Sequence, residues 1–580
     1  MGLGPARWLT RRPRGVAAAH PRQASPGPLR AAHAAWSDAA PAPDPAWHRP
    51  DSEVPYPGAV PLRDPSRWWS AVLAVLGGLL TWTAFPDLGW WYAAAPGVAL
   101  LFLAMRRDSA RWNALLGLLW GLAFFVPLLT WADVAVGAVP WLALSVAEAG
   151  FVALFGAAWS WARRGEAVWR RASLQLVVFV VLWVAVEELR GIWPFGGFPW
   201  GRLAFSQADS PVLALARLGG APLVSAAVAA AGVALALAWL AARRFALLPL
   251  LGRVALAVGV VVVGLLVPMD TRAEDGALTV GAVQGNVSQP GLHAFDTRRE
   301  VLDNHLAGTY ALLDQVEPGD LDLVLWPENG TDIDPEVNAE AAADIDAAAQ
   351  AVGAPMLIGT IQYPESGGRY NTSLLWEPGV GPVASYSKQR PAPFAEYIPL
   401  RSLVRPFSSA VDLVQNDMIA GTEPGVVPLE SARLGRTVQI GDVICFEVAY
   451  DGIVREAVRE GAEVLVVQTN NASFGYSAES TQQLAMARLR AVELGRATVQ
   501  VSTVGVSAVI APNGTVAQDT ELFTADQLVA RLPLRQSLTP AAVLGAWPSG
   551  VVGALAVVMT VAGTAGAWRV RRDDRPEGAA

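Results

Sequence analysis

The chain has 580 residues, of which 53% are hydrophobic and only 16% charged, with a mean hydropathy of +0.34. Soluble globular proteins carry about 25% charged residues, so this deficit excludes a wholly soluble protein and points to membrane segments. A formal net charge of −8, with arginines in short scattered clusters, excludes a nucleic-acid partner, and a single cysteine, Cys445, excludes an intrachain disulfide and a cysteine metal cluster.

Residues 1–66 are rich in Ala, Pro and Arg and lack an apolar run. They read as a disordered cytoplasmic tail and not as a signal peptide. Apolar stretches follow at 68–85, 91–105, 112–131, 140–162, 173–189, 211–242 and 246–268, with an eighth at 543–568. The first two are short for a bilayer that needs about 20 residues per helix. Trp68, Trp69, Trp90 and Trp91 flank them as interfacial anchors do. The pattern predicts a seven-span domain over 67–270 and one C-terminal span.

Arginine placement orients these spans. Arg106, Arg107 and Arg111 lie between the second and third stretches, and Arg163, Arg164, Arg170 and Arg171 between the fourth and fifth. Arg243 and Arg244 lie between the sixth and seventh, and Arg569, Arg571, Arg572 and Arg575 follow the last. The alternate loops are nearly free of basic residues apart from Arg190 and Arg202. The positive-inside rule then puts both termini, including the tail at 569–580, in the cytoplasm. The polar segment between the seventh and eighth spans is extracytoplasmic. Glu148, inside the fourth stretch, reads as a carboxylate reaching the outer interface, with an intramembrane functional group as the alternative, and Glu187 and Glu188 read as interfacial.

Residues 277–540 change character. Runs at 279–284, 321–328, 354–363, 371–377, 437–447 and 462–470 read as strands, and 298–315, 339–352, 452–460 and 480–494 as helices. Near-continuous apolar strands alternating with helices predict α/β layering with sheets buried on both faces. No GxGxxG motif opens a helix after the first strand, so this is not a Rossmann nucleotide domain.

Three reactive residues fall at strand ends in this reading. Glu328 closes LDLVLWPE, Lys388 follows VASYS, and Cys445 follows the run 440–444. Sites in α/β proteins gather at such ends. Lys388 is the only lysine of the chain, and lysine offers a compact charge that arginine does not. A free thiol needs activation. Of the histidines, His20, His33 and His48 lie in the tail, and His293 and His305 sit in no motif. Activation is therefore assigned to Glu328 as general base, with Lys388 as a fixed charge for the thiolate and the later oxyanion. The backbone N–H of Phe446 is a second oxyanion donor. Cys445 alone reads as an inert buried residue; beside Glu328 and Lys388 it reads as a nucleophile.

The strings LVLWPE with Glu328, SYSKQRPAPFAEYIP with Lys388 and Glu396, and GDVICFE with Cys445 and Glu447 resemble the carbon–nitrogen hydrolase, or nitrilase, superfamily. Membrane spans on both sides narrow the resemblance to the apolipoprotein N-acyltransferases. RGIWPFGGFPWGRLAFSQ (190–207), AVQGNVSQ (282–289), YNTSLL (370–375) and MARLRAVELGRATVQVSTVG (486–505) are similar to that family too. The resemblance implies an α-β-β-α sandwich for 277–540 and a Glu328–Lys388–Cys445 triad, supported by Glu396, Glu447, Phe446 and Asn371. It also implies substrate contact near Gly197 and Trp200, and no metal or cofactor. The chain departs from the family pattern at NNASFG (470–475), where N-D-x-W-F-G is usual, at Phe446, where Tyr is common, and at STVGVS (502–507).

What the resemblance implies for activity is a two-step acyl transfer: a phospholipid is the acyl donor, Cys445 carries a thioester, and a diacylglyceryl lipoprotein is the acceptor. The aromatic loops at 194–200 and 391–399 are candidates for lipid contact. Two rivals stand beside this reading. A membrane-anchored amidase using water needs only one span, a silent scaffold has no use for all three triad residues, and a transporter needs polar groups at mid-membrane, where only Glu148 comes near.

Overall fold

The computed structural model describes residues 65–288, 299–407, 411–412 and 414–573. The expected tail at 1–66, apart from its last two residues, lies outside the described residues, as do His293 and the end of the expected C-terminal tail.

The N-terminal half is helical: α1 (Arg67–Trp82), α2 (Ala94–Ala104), α3 (Ala110–Leu128), α4 (Thr130–Val136), α5 (Ala138–Ala162), α6 (Glu166–Arg170), α7 (Ala172–Arg190), α8 (Ala216–Ala242) and α9 (Leu247–Leu266). Among the described residues six helical segments are long and apolar enough to cross a membrane: 110–128, 138–162, 172–190, 211–242, 247–266 and 547–565. The first two expected spans are helices of 16 and 11 residues. At 1.5 Å per residue neither reaches about 30 Å, the thickness of a bilayer core. The fragment 112–131 breaks at Leu129, whose φ of −100° and ψ of 20° are not helical, two residues after Pro127, and α4 starts at Thr130. Small residues set the closest approach. A Cβ on Gly117 would lie 2.2 Å from the carbonyl oxygen of Val152, so α3 and α5 meet backbone to backbone.

The acidic residues Glu148, Glu187 and Glu188 have protein partners. Glu148 is buried, and its Oε2 accepts from Arg190 Nη1 at 2.7 Å. Glu187 is also buried; its Oε1 accepts from Trp183 Nε1 and from the Leu203 backbone, both at 3.0 Å. Arg202 pairs with Asp451 at 2.7 Å and Glu188 at 3.2 Å. Arg190 and Arg202, the two basic residues that broke the loop pattern, are thus consumed by internal ion pairs.

Two six-stranded sheets follow. The strands are β1 (Ala277–Gln284), β2 (Leu323–Leu325), β3 (Met356–Gln362), β4 (Tyr370–Glu377), β5 (Gly381–Ser387), β6 (Val426–Ser431), β7 (Arg436–Ile444), β8 (Val464–Thr469), β9 (Thr498–Ser502), β10 (Ala508–Ile510), β11 (Val516–Asp519) and β12 (Asp526–Pro533). Their orders are β12-β1-β2-β3-β4-β5 and β11-β10-β9-β8-β7-β6. Each sheet has a parallel centre, β1-β2-β3 in one and β7-β8-β9 in the other, flanked by antiparallel strands. The sheets face each other through Val280, Leu323, Leu325, Ile440, Val464 and Val466, all buried. Helices α10 (Glu300–Ala311) and α11 (Ala339–Val352) cover the outer face of the first sheet. Asn338 caps α11, its Oδ1 accepting from Ala341 N at 2.9 Å, and Gly353 ends it at φ +66°. A short turn of helix, α12 (Arg401–Val404), lies in the loop after Lys388.

Helices α13 (Asp451–Arg459) and α14 (Glu479–Leu494) cover the second sheet. Their apolar faces join one continuous core with α8 and the aromatic centre of the membrane helices. The layering is therefore α-β-β-α, with its last α layer fused to the apolar helices. The chain leaves through α15 (Pro540–Leu544) and α16 (Trp547–Asp573).

Candidate active site

Glu328 does not end its strand. β2 stops at Leu325, because Pro327 has no N–H to continue the ladder, and Glu328 follows in a buried loop. Lys388 follows β5, and its backbone N donates to Asn371 O at 2.9 Å. Cys445 is the first residue after β7 and sits at φ +57°, a left-handed backbone that a non-glycine residue holds only when its surroundings enforce it.

The enforcing group is Glu447. Its Oε2 accepts from Ile444 N at 3.0 Å and Tyr386 OH at 2.9 Å. Its Oε1 accepts from Gln389 N at 2.7 Å and Arg390 N at 3.0 Å. One buried carboxylate thus ties the cysteine turn to the loop that carries Lys388.

Lys388 is 1% exposed. Its Nζ donates to Glu328 Oε1 at 3.0 Å and Glu396 Oε1 at 2.8 Å. Asn371 Nδ2 donates to the same Glu328 oxygen at 2.6 Å, and Asn470 N donates to Glu328 Oε2 at 2.9 Å. Glu396 Oε2 accepts from Ala392 N at 2.6 Å. Burial works against the lysine charge, but Glu328 and Glu396 outweigh it and hold its pKa well above the ordinary value. For Cys445 burial pushes the thiol well above its ordinary pKa; Glu328 adds to this and Lys388 opposes it. The resting site is a neutral thiol beside a charged lysine held between carboxylates.

All three expected triad residues are therefore in one cluster, together with Glu396, Asn371 and Glu447. Phe446 points from the cysteine turn into an aromatic group formed with Trp200 at 4.9 Å, Trp131 of α4 at 5.8 Å and Phe474 at 6.0 Å between ring centroids. Trp200 is 1% exposed, and its Nε1 donates to Gln482 Oε1 at 2.7 Å. Gly197, at φ +81°, offers its carbonyl to Tyr450 OH at 2.8 Å. Both join the membrane helices to the sandwich. Sequence reasoning missed Thr469, Asn470, Glu479 and Trp131. Thr469 and Asn470 end a predicted strand, and the rule that flagged Cys445 applies equally to them. Glu479 and Trp131 sit on helices and carry no local signal.

Residues 77–234 match the family described as apolipoprotein N-acyltransferase N-terminal domain, and 280–537 match carbon–nitrogen hydrolase. A Mycolicibacterium smegmatis protein named apolipoprotein N-acyltransferase is 40% identical over 84% of this chain and 83% of its own length. The chain belongs to the apolipoprotein N-acyltransferase family. Family members from Azotobacter vinelandii and Pseudomonas aeruginosa are 32% and 31% identical, over 83% and 84% of this chain and 92% and 95% of their own. Among solved structures, an amidase from Nesterenkonia sp. is 19% identical and covers 46% of this chain and 94% of its own, at a TM-score of 0.34.

Proposed function

We propose that the protein transfers an acyl chain from a membrane phospholipid, through a thioester on Cys445, to the α-amino group of the diacylglyceryl-cysteine that begins a lipoprotein. The observation that carries this reading is the joint placement of thiol, lysine and carboxylates directly behind an aromatic wall shared with the apolar helices. A water-using amidase has no need of that wall.

In the first step Glu328 takes the thiol proton as Sγ attacks the ester carbonyl. The Lys388 ammonium has three N–H groups, two of them committed to Glu328 and Glu396. The third, with the Phe446 N–H, meets the oxyanion. Glu328 then returns the proton to the departing lysophospholipid alkoxide. In the second step the acceptor amine attacks the thioester, Glu328 takes its proton, and collapse yields the amide and the free thiol. One site serving two successive acceptors of the acyl group gives ping-pong kinetics. Glu396, Asn371 and Glu447 position the reacting groups. Gly197 and Trp200 act by seating the membrane loop on the site.

The domain order and sidedness belong to the same proposal: membrane helices over 67–270, catalytic sandwich over 277–540 outside the cytoplasmic membrane, a final span within 543–568, and both termini inside. Parity supports it. Helices α1 and α2 are too short to span singly and drop out, if at all, as a pair. Five spans or seven, both odd, put the sandwich on the face opposite the N-terminus.

Intact-protein mass spectrometry of the detergent-purified chain after incubation with phospholipid tests the reading. A hydroxylamine-labile acyl mass is expected, absent in Cys445→Ala and discharged by a diacylated lipopeptide. No adduct, with simple amides still hydrolysed, would replace acyl transfer by the amidase reading.

A further inference from the structure

One carboxyl group near the thiol has no role in this scheme. Glu479 opens α14 with no exposed surface, and its Oε1 has no hydrogen-bond partner. Among the described residues no cation pairs with it. It is linked to Cys445 through two side chains. Asn471 Nδ2 donates to Glu479 Oε2 at 2.6 Å and lies 3.0 Å from Gln483 Oε1 and 3.3 Å from Thr469 Oγ1. Thr469 Oγ1 lies 2.8 Å from Gln483 Oε1 and 3.4 Å from Cys445 Sγ.

A count of protons fixes how this chain behaves. Ser502 Oγ accepts from Gly505 N at 2.8 Å, so its own proton goes to Asn471 Oδ1 at 2.5 Å. The Asn471 amide therefore has one orientation, with two hydrogens facing three acceptors. Thr469 has one hydroxyl proton and two acceptors, Gln483 Oε1 and the cysteine sulfur. When Glu479 is an anion it draws one Asn471 hydrogen to itself, Gln483 Oε1 and Thr469 Oγ1 share the other, and Gln483 Oε1 also draws on the threonine proton. When Glu479 is neutral its hold weakens, Asn471 satisfies Gln483, and the threonine proton turns to sulfur.

We infer that Glu479 is a positioning residue for the nucleophile, whose charge sets, through Asn471 and Thr469, whether the Thr469 hydroxyl donates to the Cys445 thiolate. The direct field acts in the same sense, since an ionised Glu479 raises the thiol pKa. The charged groups facing Glu479 are Glu328, from the loop after β2, and Cys445 once ionised, from the turn after β7. Burial first, and Glu328 with it, push Glu479 up to about 8, against the pull of the Asn471 hydrogen bond. Its proton is thus lost before the thiol, held well above its ordinary pKa, ionises in bulk, and each ionisation opposes the other. The chain carries Asn471 where the family pattern N-D-x-W-F-G has an acid, and here the carboxylate beside that position comes from Glu479.

The inference rests on Cys445 as the nucleophile, but its test reads thiol reactivity and not turnover. Iodoacetamide alkylation of Cys445 in the full-length protein in detergent micelles is followed by mass spectrometry from pH 6 to 10. The wild type is expected to rise with a slope below one proton above pH 8. Glu479→Gln is expected to restore a slope of one and to react roughly tenfold faster at pH 9, the equivalent of one pK unit. Thr469→Val is expected to remove most of that gain. Superimposable wild-type and E479Q profiles would overturn the inference. So would an E479Q gain that survives in full beside T469V. If E479Q does not fold, the wild-type profile decides alone, because a slope of one through pH 8 to 10 leaves no second group. An acyl adduct that fails to form while these profiles hold would count against the acyltransferase reading only.

Discussion

Two clusters of buried charge, one in the membrane helices and one in the sandwich, use the same residue types to different ends. In the first, Arg190 Nη1 donates to Glu148 at 2.7 Å and to the carbonyls of Phe198 at 2.9 Å and Trp200 at 2.5 Å. The pair ties the loop 191–200 to α5. In the second, Lys388 sits between two carboxylates, yet keeps one N–H uncommitted and faces a neutral thiol on a left-handed turn. A buried pair that only ties a loop to a helix is scaffold; a pair set beside a nucleophile with one donor left over can meet charge that develops during a reaction.

The largest effects that sharpen this contrast are on activity. Glu328→Gln is expected to slow acyl-enzyme formation by about 10²–10⁴-fold, the usual worth of a general base, and to lower stability less than the loss of Glu148 does, because Lys388 keeps Glu396 as its anion. Lys388→Arg keeps the charge but replaces a compact ammonium by a planar fork, and a loss of roughly 10²–10³-fold is expected. Near wild-type rates in either variant would mean the leftover donor is not the feature that matters.

Breaking the closed pair is expected to act on stability instead. Glu148→Gln leaves Arg190 buried without its anion, at a cost of about 3–5 kcal/mol, read as a lower melting temperature in detergent. Glu148→Gln with Arg190→Gln recovers part of it. If the single variant melts normally and only turnover falls, the pair belongs to the site and the comparison fails.

A pH series adds a third test. Burial raises the Asp442 carboxyl to about 7, while in the unfolded chain it ionises near pH 4. The folded protein therefore holds a proton that the unfolded chain lacks between these values. Stability is full below pH 4, falls as pH rises through about 7, and is level above. Asp442→Asn is expected to raise the melting temperature at pH 8 and leave it unchanged at pH 4; an equal shift at both would trace to packing. The smallest effect is expected from Trp200→Phe, which strips Gln482 Oε1 of its indole donor at a cost of about 1–3 kcal/mol and weakens the seam between membrane helices and sandwich.

Much of the architecture was legible because it is written in local periodicity. The helix predicted at 339–352 has those ends in the structure, and those predicted at 452–460 and 480–494 are each within one residue. Strand runs with both faces buried, such as VLVVQT, announce themselves by unbroken hydrophobicity. The edge strands β5, β6, β11 and β12 were not resolved as strands, since their burial alternates or fails and no continuous apolar run marks them, and β9 and β10, though wholly buried, were missed because they are short and β9 is broken by polar residues.

The sequence by itself determined the apolar helical half, the α/β half, and which thiol, amine and carboxylates were available for chemistry. A single cysteine and a single lysine narrow such choices without geometry. Tertiary structure alone decided which carboxylate meets which cation. Glu148 and Arg190, read separately as interfacial and as a loop exception, are partners 42 residues apart. Glu479, on a helix buried along most of its length, is linked to Cys445 through Asn471 and Thr469 only because α14 packs on the turn that carries the cysteine. The reason is physical: burial of an apolar face is encoded in neighbouring residues, whereas the desolvation and pairing of a charge are fixed by residues distant in sequence and adjacent only once folded.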